Sequence, residues 1–290
     1  MKVVVTGGAG NVGRGVVGRL RAEHEVVSFD RREHPDVACT QVTGDILNLG
    51  DLRAAMHGAD AVVHLAAIPH PMHDPADRVF EVNVMGTHRV AETAVEAGAS
   101  RLVFASSDST LGLVFGDYGS PLPLEYIPVD PAHPTKPRDP YGLSKRIGEE
   151  VLEAFHRRHG IAVTCLRYAW VWWPPEYANQ PNLSANPDAV ASGLWTYVDA
   201  RDVADAIACA LEKVDGGFHV VPLTAPDTAV DTPTLDLVAR HMAPDVEVRD
   251  PASFEADPFR TLWDLGPCRE ILGFSPERTW RKGWTEQEGS

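Results

Sequence analysis

The segment DPYGLSKRIGEE contains a tyrosine and a lysine four residues apart, Tyr141 and Lys145. Residues at this spacing lie on one face of a helix, so the phenol and the amine would be neighbours. A tyrosine hydroxyl has an ordinary pKa of about 10 and carries protons poorly at neutral pH. A nearby ammonium favours the phenolate, so Lys145 is predicted to lower the pKa of Tyr141 and make it a general acid and base.

A serine hydroxyl beside that tyrosine would hold the oxygen of a substrate. The stretch FASSDST supplies two candidates, Ser106 and Ser107, at the carboxyl end of a predicted strand over 101–106. A phenol, an amine and a serine together favour proton transfer to or from a hydroxyl group.

A glycine-rich stretch, TGGAGNVG at residues 6–13, lies between a predicted strand and a predicted helix. Glycine lets the backbone turn tightly and approach a pyrophosphate, and the helix N-terminus offers free N–H groups. The alternative is a plain tight turn, but strand, helix and a carboxylate at the next strand end all fit dinucleotide binding. The loop residues predicted to bind the cofactor are Gly7, Gly10, Asn11, Val12 and Gly13.

The carboxylate is Asp30, at the end of the second predicted strand. An acid there accepts both ribose hydroxyls of NAD and repels a 2′-phosphate, whereas Arg31 directly after it could hold such a phosphate. NAD is therefore favoured and NADP is left open. Asp45 and Ile46 in GDIL are predicted to contact the adenine end, although Asp45 could instead cap a helix.

The elements that must position these residues alternate regularly. Continuous Val, Ile and Leu runs predict strands buried on both faces, and apolar residues at helical spacing lie between them. Alternation of this kind predicts an α/β fold with a doubly wound parallel sheet. The predicted strands are 2–6, 25–29, 60–65, 101–106, 161–167 and 216–221, and the predicted helices are 11–23, 50–57, 76–97, 141–158, 232–242 and 260–272.

The pattern degrades after residue 167, where tryptophans alternate with proline and asparagine. We therefore expect two units. The dinucleotide-binding domain would comprise 1–167 and 198–222, and a small substrate-binding lobe would comprise 168–197 and 223–290. The tryptophans of 170–197 could stack on a sugar face or form the seam between the units.

Composition excludes several classes of function. The 290 residues carry a net charge of −15, which disfavours binding to nucleic acid or anionic lipid. The four cysteines show no paired spacing, and neither a signal peptide nor a membrane span is evident, so a cytoplasmic protein is expected. His70 and His73 lack a third ligand, so no metal site is predicted and His70 is assigned to a loop near the substrate.

Six motifs in chain order resemble the extended short-chain dehydrogenase/reductase family, whose fold is a Rossmann-type sheet with a small C-terminal substrate lobe. They are TGxxGxxG, the strand-end Asp30, HLAA at 64–67, Asn83 in VNVMGT, the serine pair and YxxxK. The resemblance implies a catalytic triad of Ser107, Tyr141 and Lys145, with Asn83 supporting the active-site helix. It also implies cofactor contacts from Leu65, Ala66 and Ala67, and a homodimer formed by helices 76–97 and 141–158.

Sub-families differ after the triad serine. Sugar-nucleotide dehydratases continue with Asp-Glu, whereas this chain has Asp108 and Ser109. Epimerases carry LRxxNVxG, whereas this chain reads LRYAWVWWPP, with Trp170 replacing the asparagine and Trp173 replacing the glycine. Small uronate and aldose dehydrogenases carry SSNH.IG, which is similar to SSDSTLG here.

These observations predict an NAD(P)-dependent oxidoreductase that transfers hydride between a nicotinamide and a sugar or polyol. Asp108, Ser109, Trp170 and His70 are predicted to contact the substrate beside Ser107. One alternative is a sugar or nucleotide-sugar 4-epimerase that retains its NAD. Another is a non-catalytic NAD(P)-sensing regulator on the same fold.

Overall fold

The computed structural model describes residues 1–115 and 121–283. Its main sheet has seven parallel strands in the order β10-β7-β5-β4-β1-β2-β3. This order confirms the predicted doubly wound α/β fold. The strands are β1 Lys2–Thr6, β2 Glu25–Asp30, β3 Thr40–Thr43, β4 Ala61–His64, β5 Arg101–Ser107, β6 Tyr126–Ile127, β7 Ala162–Tyr168, β8 Trp170–Trp172, β9 Tyr197–Asp199, β10 Phe218–Leu223 and β11 Glu247–Val248.

The helices connect successive strands, as a parallel sheet requires. The predicted helix over 76–97 is one helical run that contains a π-helical turn, Glu81–Met85, between α3 and α4. The helices are α1 Asn11–Leu20, α2 Leu49–Met56, α3 Ala76–Phe80, α4 Gly86–Glu96, α5 Pro140–His159, α6 Pro174–Ala185, α7 Ala200–Lys213, α8 Thr234–His241, α9 Pro251–Ala256 and α10 Gly266–Leu272.

Helices cover both faces of the sheet, which explains why its central strands are apolar throughout. One apolar cluster joins α1, α7 and α10 to the sheet, with Val16 and Leu211 among its buried members. A second cluster joins α2, α4 and α5 to the opposite face, where Leu52 and Leu152 are buried.

A third apolar cluster forms a separate lobe at the carboxyl edge of the sheet. It contains the buried rings of Trp172, Trp195 and Trp263. Residues 111–113 and 122–129 also contribute to it, and β6 pairs with β11 in this lobe. The proposed domain division stays a prediction, but the packing adds a third stretch of chain to the lobe.

Several element predictions need correction. The proline- and asparagine-rich pattern predicts a loop over 174–188, yet Pro174–Ala185 forms α6 even though Pro181 lies inside it. The helix predicted over 260–272 begins only at Gly266, because Asp264 accepts the backbone N–H of Gly266 in the preceding turn. No helix in the described part of the chain is long and apolar enough to cross a bilayer.

Candidate active site

A cavity of about 870 Å³ runs along the carboxyl edge of the sheet, from the glycine-rich loop to the lobe. This is where parallel α/β sheets bind their ligands. Asn83 and His70 are not part of its lining among the described residues. The predicted site residues that do line it are Gly7, Gly10, Asn11, Val12, Gly13, Asp30, Arg31, Asp45, Ile46, Leu65, Ala66, Ala67, Ser107, Asp108, Ser109, Tyr141, Lys145 and Trp170.

The glycine-rich loop fits a pyrophosphate. Gly7 has a φ of +75°, and a Cβ there would lie 2.8 Å from the backbone nitrogen of Ala66. A Cβ on Gly13 would overlap the carbonyl oxygen of Gly7. No side chain in the described residues caps the N-terminus of α1, so its first N–H groups remain available to an anion.

The end of β2 fits the ribose of a dinucleotide. Asp30 lines the cavity and is held by the backbone N–H of Ala9, which donates to its Oδ2 over 3.1 Å. Arg31 lines the same wall. The alternative that Asp45 caps a helix is wrong, because α2 is capped by Asn48, whose Oδ1 accepts from Gly50 N at 2.8 Å.

Local sequence explains where the catalytic helix begins. Asp139 caps α5 by accepting the N–H of Gly142 over 2.8 Å, and Pro140 occupies the first turn. Tyr141 and Lys145 then share the buried face of α5. The Nζ of Lys145 donates to the carbonyl oxygen of Ala105 over 2.6 Å, at the end of β5.

Burial shifts the pKa of both groups. The pKa of Tyr141 is raised far above its ordinary value, first by burial and then by Tyr168, while a hydrogen bond from Ser107 acts to lower it. Burial lowers the pKa of Lys145 to about 7, against the opposing effect of Glu149. The predicted lowering of the phenol pKa is therefore wrong: desolvation of the phenolate outweighs any help from the amine.

The serine motif forms a tight polar cluster. Ser107 pairs in register with Tyr168 on the neighbouring strand. Its Oγ lies 3.0 Å from Oδ1 of Asp108 and 3.1 Å from Oγ of Ser109, and its single proton can be donated to either. Burial raises the pKa of Asp108 to about 6. The cluster offers a substrate a hydroxyl donor and a carboxylate acceptor within a few ångströms of Tyr141.

Asn83 positions the site from outside the cavity. Its side chain accepts from Ile68 N over 2.8 Å and donates to Ile68 O over 3.0 Å. It also donates to Oγ of Ser144 over 2.9 Å. Asn83 thereby joins the loop after β4 to α5, and its predicted supporting role stays a prediction.

A buried histidine extends this network to the glycine-rich loop. Nδ1 of His64 lies 2.7 Å from the hydroxyl of Thr6, and Nε2 lies 3.0 Å from the hydroxyl of Thr87. Thr87 donates to the carbonyl of Asn83 over 2.6 Å, so it must accept from Nε2–H of His64. This direction assigns the neutral Nε2–H tautomer, and burial lowers the pKa of His64 to about 3.

A buried ion pair braces the other side of α5. The guanidinium of Arg167 on β7 binds both oxygens of Glu149, over 2.8 and 2.7 Å. Ser106 on β5 donates to the same carboxylate over 2.6 Å. Glu149 lies one helical turn after Lys145, so this pair fixes the helix that carries the amine.

Residues 3–184 match the NAD dependent epimerase/dehydratase family, which is nearly two thirds of the chain. The chain belongs to this family. It is an enzyme of the extended short-chain dehydrogenase/reductase type, as the motif resemblance implied.

Curated relatives of this epimerase/dehydratase family member carry out redox and epimerisation reactions. L-arabinose 1-dehydrogenase (NAD(P)(+)) of Haloferax volcanii is 38% identical over 67% of this chain and 76% of the relative. The NAD-dependent glucose-6-phosphate dehydrogenase of the same organism is 31% identical over 76% and 83%. A putative UDP-glucose 4-epimerase of Methanocaldococcus jannaschii is 30% identical over 59% of this chain and 56% of the relative.

Solved structures support the fold. A short-chain dehydrogenase/reductase superfamily protein from Agrobacterium tumefaciens, solved with NAD, superposes with a TM-score of 0.74. It is 24% identical, and the match covers 97% of this chain and 94% of the other. At this identity the match shows the fold alone.

Several residues that line the cavity were not predicted from the sequence. Tyr168 could have been found, because it ends the strand next to Ser107 in a parallel sheet. Val190 lies in a short 3₁₀ helix, Pro187–Gly193, and Thr196 precedes β9, so no periodicity of the sequence marks either residue. Phe115 lines the cavity edge-on to Tyr141, 5.8 Å between ring centroids. The proline-rich stretch between Ser107 and Tyr141, which its composition predicts to be a loop over the site, lies partly outside the described residues. Its later part, 122–129, packs into the lobe.

Proposed function

We propose that this enzyme is an NAD(P)-dependent dehydrogenase that oxidises a hydroxyl of a sugar or polyol with net transfer of hydride to the cofactor. The observation that carries the proposal is one cavity that joins the glycine-rich loop to Ser107, Tyr141 and Lys145. The bulky Trp170 and Trp173 in its lining favour a free sugar over a sugar nucleotide.

The proposed proton path uses the chain's own residues. When bound, the nicotinamide accepts the hydride. Ser107 orients the reacting oxygen, and Tyr141 takes its proton. Lys145, held by the carbonyl of Ala105, supplies positive charge beside the phenol and a donor for the nicotinamide ribose. Asp108 lies close enough to Ser107 to fix the direction of its hydroxyl.

The cofactor is proposed to be NAD. Asp30 provides the acceptor for ribose hydroxyls, and Gly7, Gly10 and Gly13 make room for the pyrophosphate. Arg31 on the same wall leaves NADP as a second cofactor to be assayed.

The test follows reduced-nicotinamide absorbance with NAD and NADP over a panel of sugars. Tyr141→Phe is expected to lower kcat by about 10²- to 10⁴-fold, because it removes the proton carrier. Tyr126→Phe is the matched control, since Tyr126 lies in the lobe and its hydroxyl donates to Asp130 over 2.7 Å. A Tyr141→Phe enzyme with undiminished turnover would refute the assignment.

The second candidate is an epimerase, favoured by the matches to curated UDP-glucose 4-epimerases. Such an enzyme would show no net reduction of added NAD and would release NAD on denaturation. The regulator alternative would show neither, and its biological effect would survive Tyr141→Phe. These three outcomes separate the hypotheses.

We also propose a cytoplasmic homodimer. Large apolar side chains are exposed on the helices that the family resemblance assigned to the interface, namely Phe80, Met85 and Leu143. Burial of this set by a second copy would explain its exposure in one chain. Sedimentation should give a dimer mass, and Leu143→Glu should shift it toward the monomer.

A further inference from the structure

We propose that the substrate is an uncharged, unphosphorylated monosaccharide whose ring stacks on Trp170. The proposal rests on the proposed dehydrogenase function and narrows it to one substrate class. It excludes sugar phosphates, uronates and sugar nucleotides, each of which brings a negative charge to the lobe end of the cavity.

Few cationic side chains line the cavity. The lysines and arginines that line the cavity in the described chain are Arg31, Arg32, Arg78 and Lys145. Arg31 and Arg32 directly follow β2, at the nucleotide end. The ammonium of Lys145 donates to the carbonyl oxygen of Ala105, at the end of β5.

Arg78 already has a carboxylate partner. It lies on α3 and forms an ion pair of 2.6 Å with Glu81. Between 168 and 283 the lining contains no lysine or arginine.

The two segments outside the described residues contain no lysine or arginine that could reach the lobe end. Residues 116–120 read GDYGS and residues 284–290 read WTEQEGS, without lysine or arginine in either. A phosphate or carboxylate at the lobe end would therefore lack a charged partner, and an unpaired buried anion costs several kcal/mol.

One carboxylate and several hydroxyl groups line the lobe end of the cavity. Asp108 supplies a buried carboxylate that accepts hydrogen bonds and repels anions. Ser109, Ser192 and Thr196 supply hydroxyls that line the same space. Neutral donors and acceptors of this kind match the hydroxyl groups of a free sugar.

The indole ring of Trp170 offers an exposed aromatic face to the cavity. Trp170 lines the cavity and is 45% exposed, whereas its neighbour Trp172 is fully buried. The two rings meet edge to face, with centroids 5.6 Å apart at 78°. Pairing of β8 with β9 fixes the backbone of Trp170 opposite Tyr197. A rigid ring with an open surface suits the C–H face of a sugar ring.

The substrate experiment compares matched compounds at saturating NAD: L-arabinose, D-glucose and D-galactose against glucose 6-phosphate, glucuronate and UDP-glucose. The best neutral sugar is expected to exceed every charged compound by at least about 100-fold in kcat/KM. A charged compound oxidised as efficiently as the best neutral sugar would overturn this inference while the dehydrogenase function stands.

A binding measurement distinguishes failure of the dehydrogenase function from failure of the inference about the substrate class. If no compound is oxidised, the dehydrogenase function fails, and tryptophan fluorescence titration with the same panel decides the substrate class. Quenching by neutral sugars supports the inference, and tighter binding of UDP-glucose overturns it. Trp170→Phe should weaken the quenching signal, whereas Trp280→Phe, which removes an indole outside the cavity lining, should retain it.

Steady-state kinetics of Trp170 variants test whether the sugar ring stacks on the indole. Trp170→Ala is expected to raise the sugar KM by about three- to tenfold with kcat largely kept, and Trp170→Phe should recover part of the loss. A rise confined to the KM for NAD would instead place the ring against the cofactor and overturn the stacking role.

Discussion

Protonation of the buried His64 is expected to make the fold sensitive to acid. The ring is hydrogen-bonded on both nitrogens, to Thr6 and Thr87, and burial lowers its pKa from 6.5 to about 3. In the unfolded chain the ring binds a proton below pH 6.5, but in the fold it stays neutral down to about pH 3. Unfolding therefore takes up a proton in this window, and stability falls as the pH falls.

The magnitude follows from the width of that window. Each pH unit of difference between the folded and unfolded pKa corresponds to about 1.4 kcal/mol. A window from 6.5 to about 3 limits the total loss from His64 to about 5 kcal/mol. At pH 5 the loss is about 2 kcal/mol relative to pH 7.

The assay is urea unfolding of the wild type and of His64→Gln between pH 7 and pH 4.5. Glutamine does not titrate, so the free energy of unfolding that separates the two proteins should shrink by about 2 kcal/mol at pH 5. Burial raises the pKa of three acids, Asp108, Asp202 and Asp227, to about 6. These acids oppose the effect of His64, because the fold binds their protons more tightly than the unfolded chain does as the pH falls. They are common to both proteins and cancel in the difference. A difference that stays constant with pH would refute a buried neutral histidine.

Three further perturbations test the site. Gly13→Ala should weaken NAD binding at least tenfold in equilibrium titration, because the added Cβ overlaps the glycine-rich loop. Gly18→Ala on the same helix is the control, since its added Cβ meets nothing within 4 Å and NAD binding should be unchanged. Arg167→Met should lower the free energy of unfolding by about 3–5 kcal/mol by stranding Glu149, and adding Glu149→Leu should restore most of it; equal losses in single and double variants would contradict this. Asp30→Ser should raise the NADP-to-NAD ratio of kcat/KM at least tenfold, and an unchanged ratio would remove Asp30 from cofactor selection.

Local signals predicted the parts of the site that depend on local structure. The glycine-rich loop lies between a strand and a helix because its neighbours have strand and helix periodicity. The start of α5 follows from an aspartate cap and a proline in the first turn. The carboxyl ends of parallel strands meet at one edge, so Asp30 and Ser107 had to line a common cavity.

The remaining features depend on contacts between distant parts of the chain. His64 bonds Thr6 across 58 residues and Thr87 across 23, and no local pattern indicates such a chain of hydrogen bonds. The helix α6 contains an internal proline and few apolar residues, so propensity argued against it. Leu194 and Trp195 adopt positive φ, which residues other than glycine rarely do. Both side chains are buried in the lobe, and Trp195 donates from its ring to the carbonyl of Pro187 and accepts at its own carbonyl from the N–H of Ala229.

The reversed pKa prediction for Tyr141 shows where reasoning from residue types stops. A phenol beside an amine in water gains from the positive charge, but here the same burial disfavours both the phenolate and the ammonium. The buried pair therefore differs from an exposed one, in which the positive charge would lower the pKa of the phenol. Glu149, one turn below the amine, raises the pKa of Lys145, and Ser107 lowers that of the phenol. The pKa values of the YxxxK pair therefore depend on residues beyond the motif, among them Glu149 and Ser107.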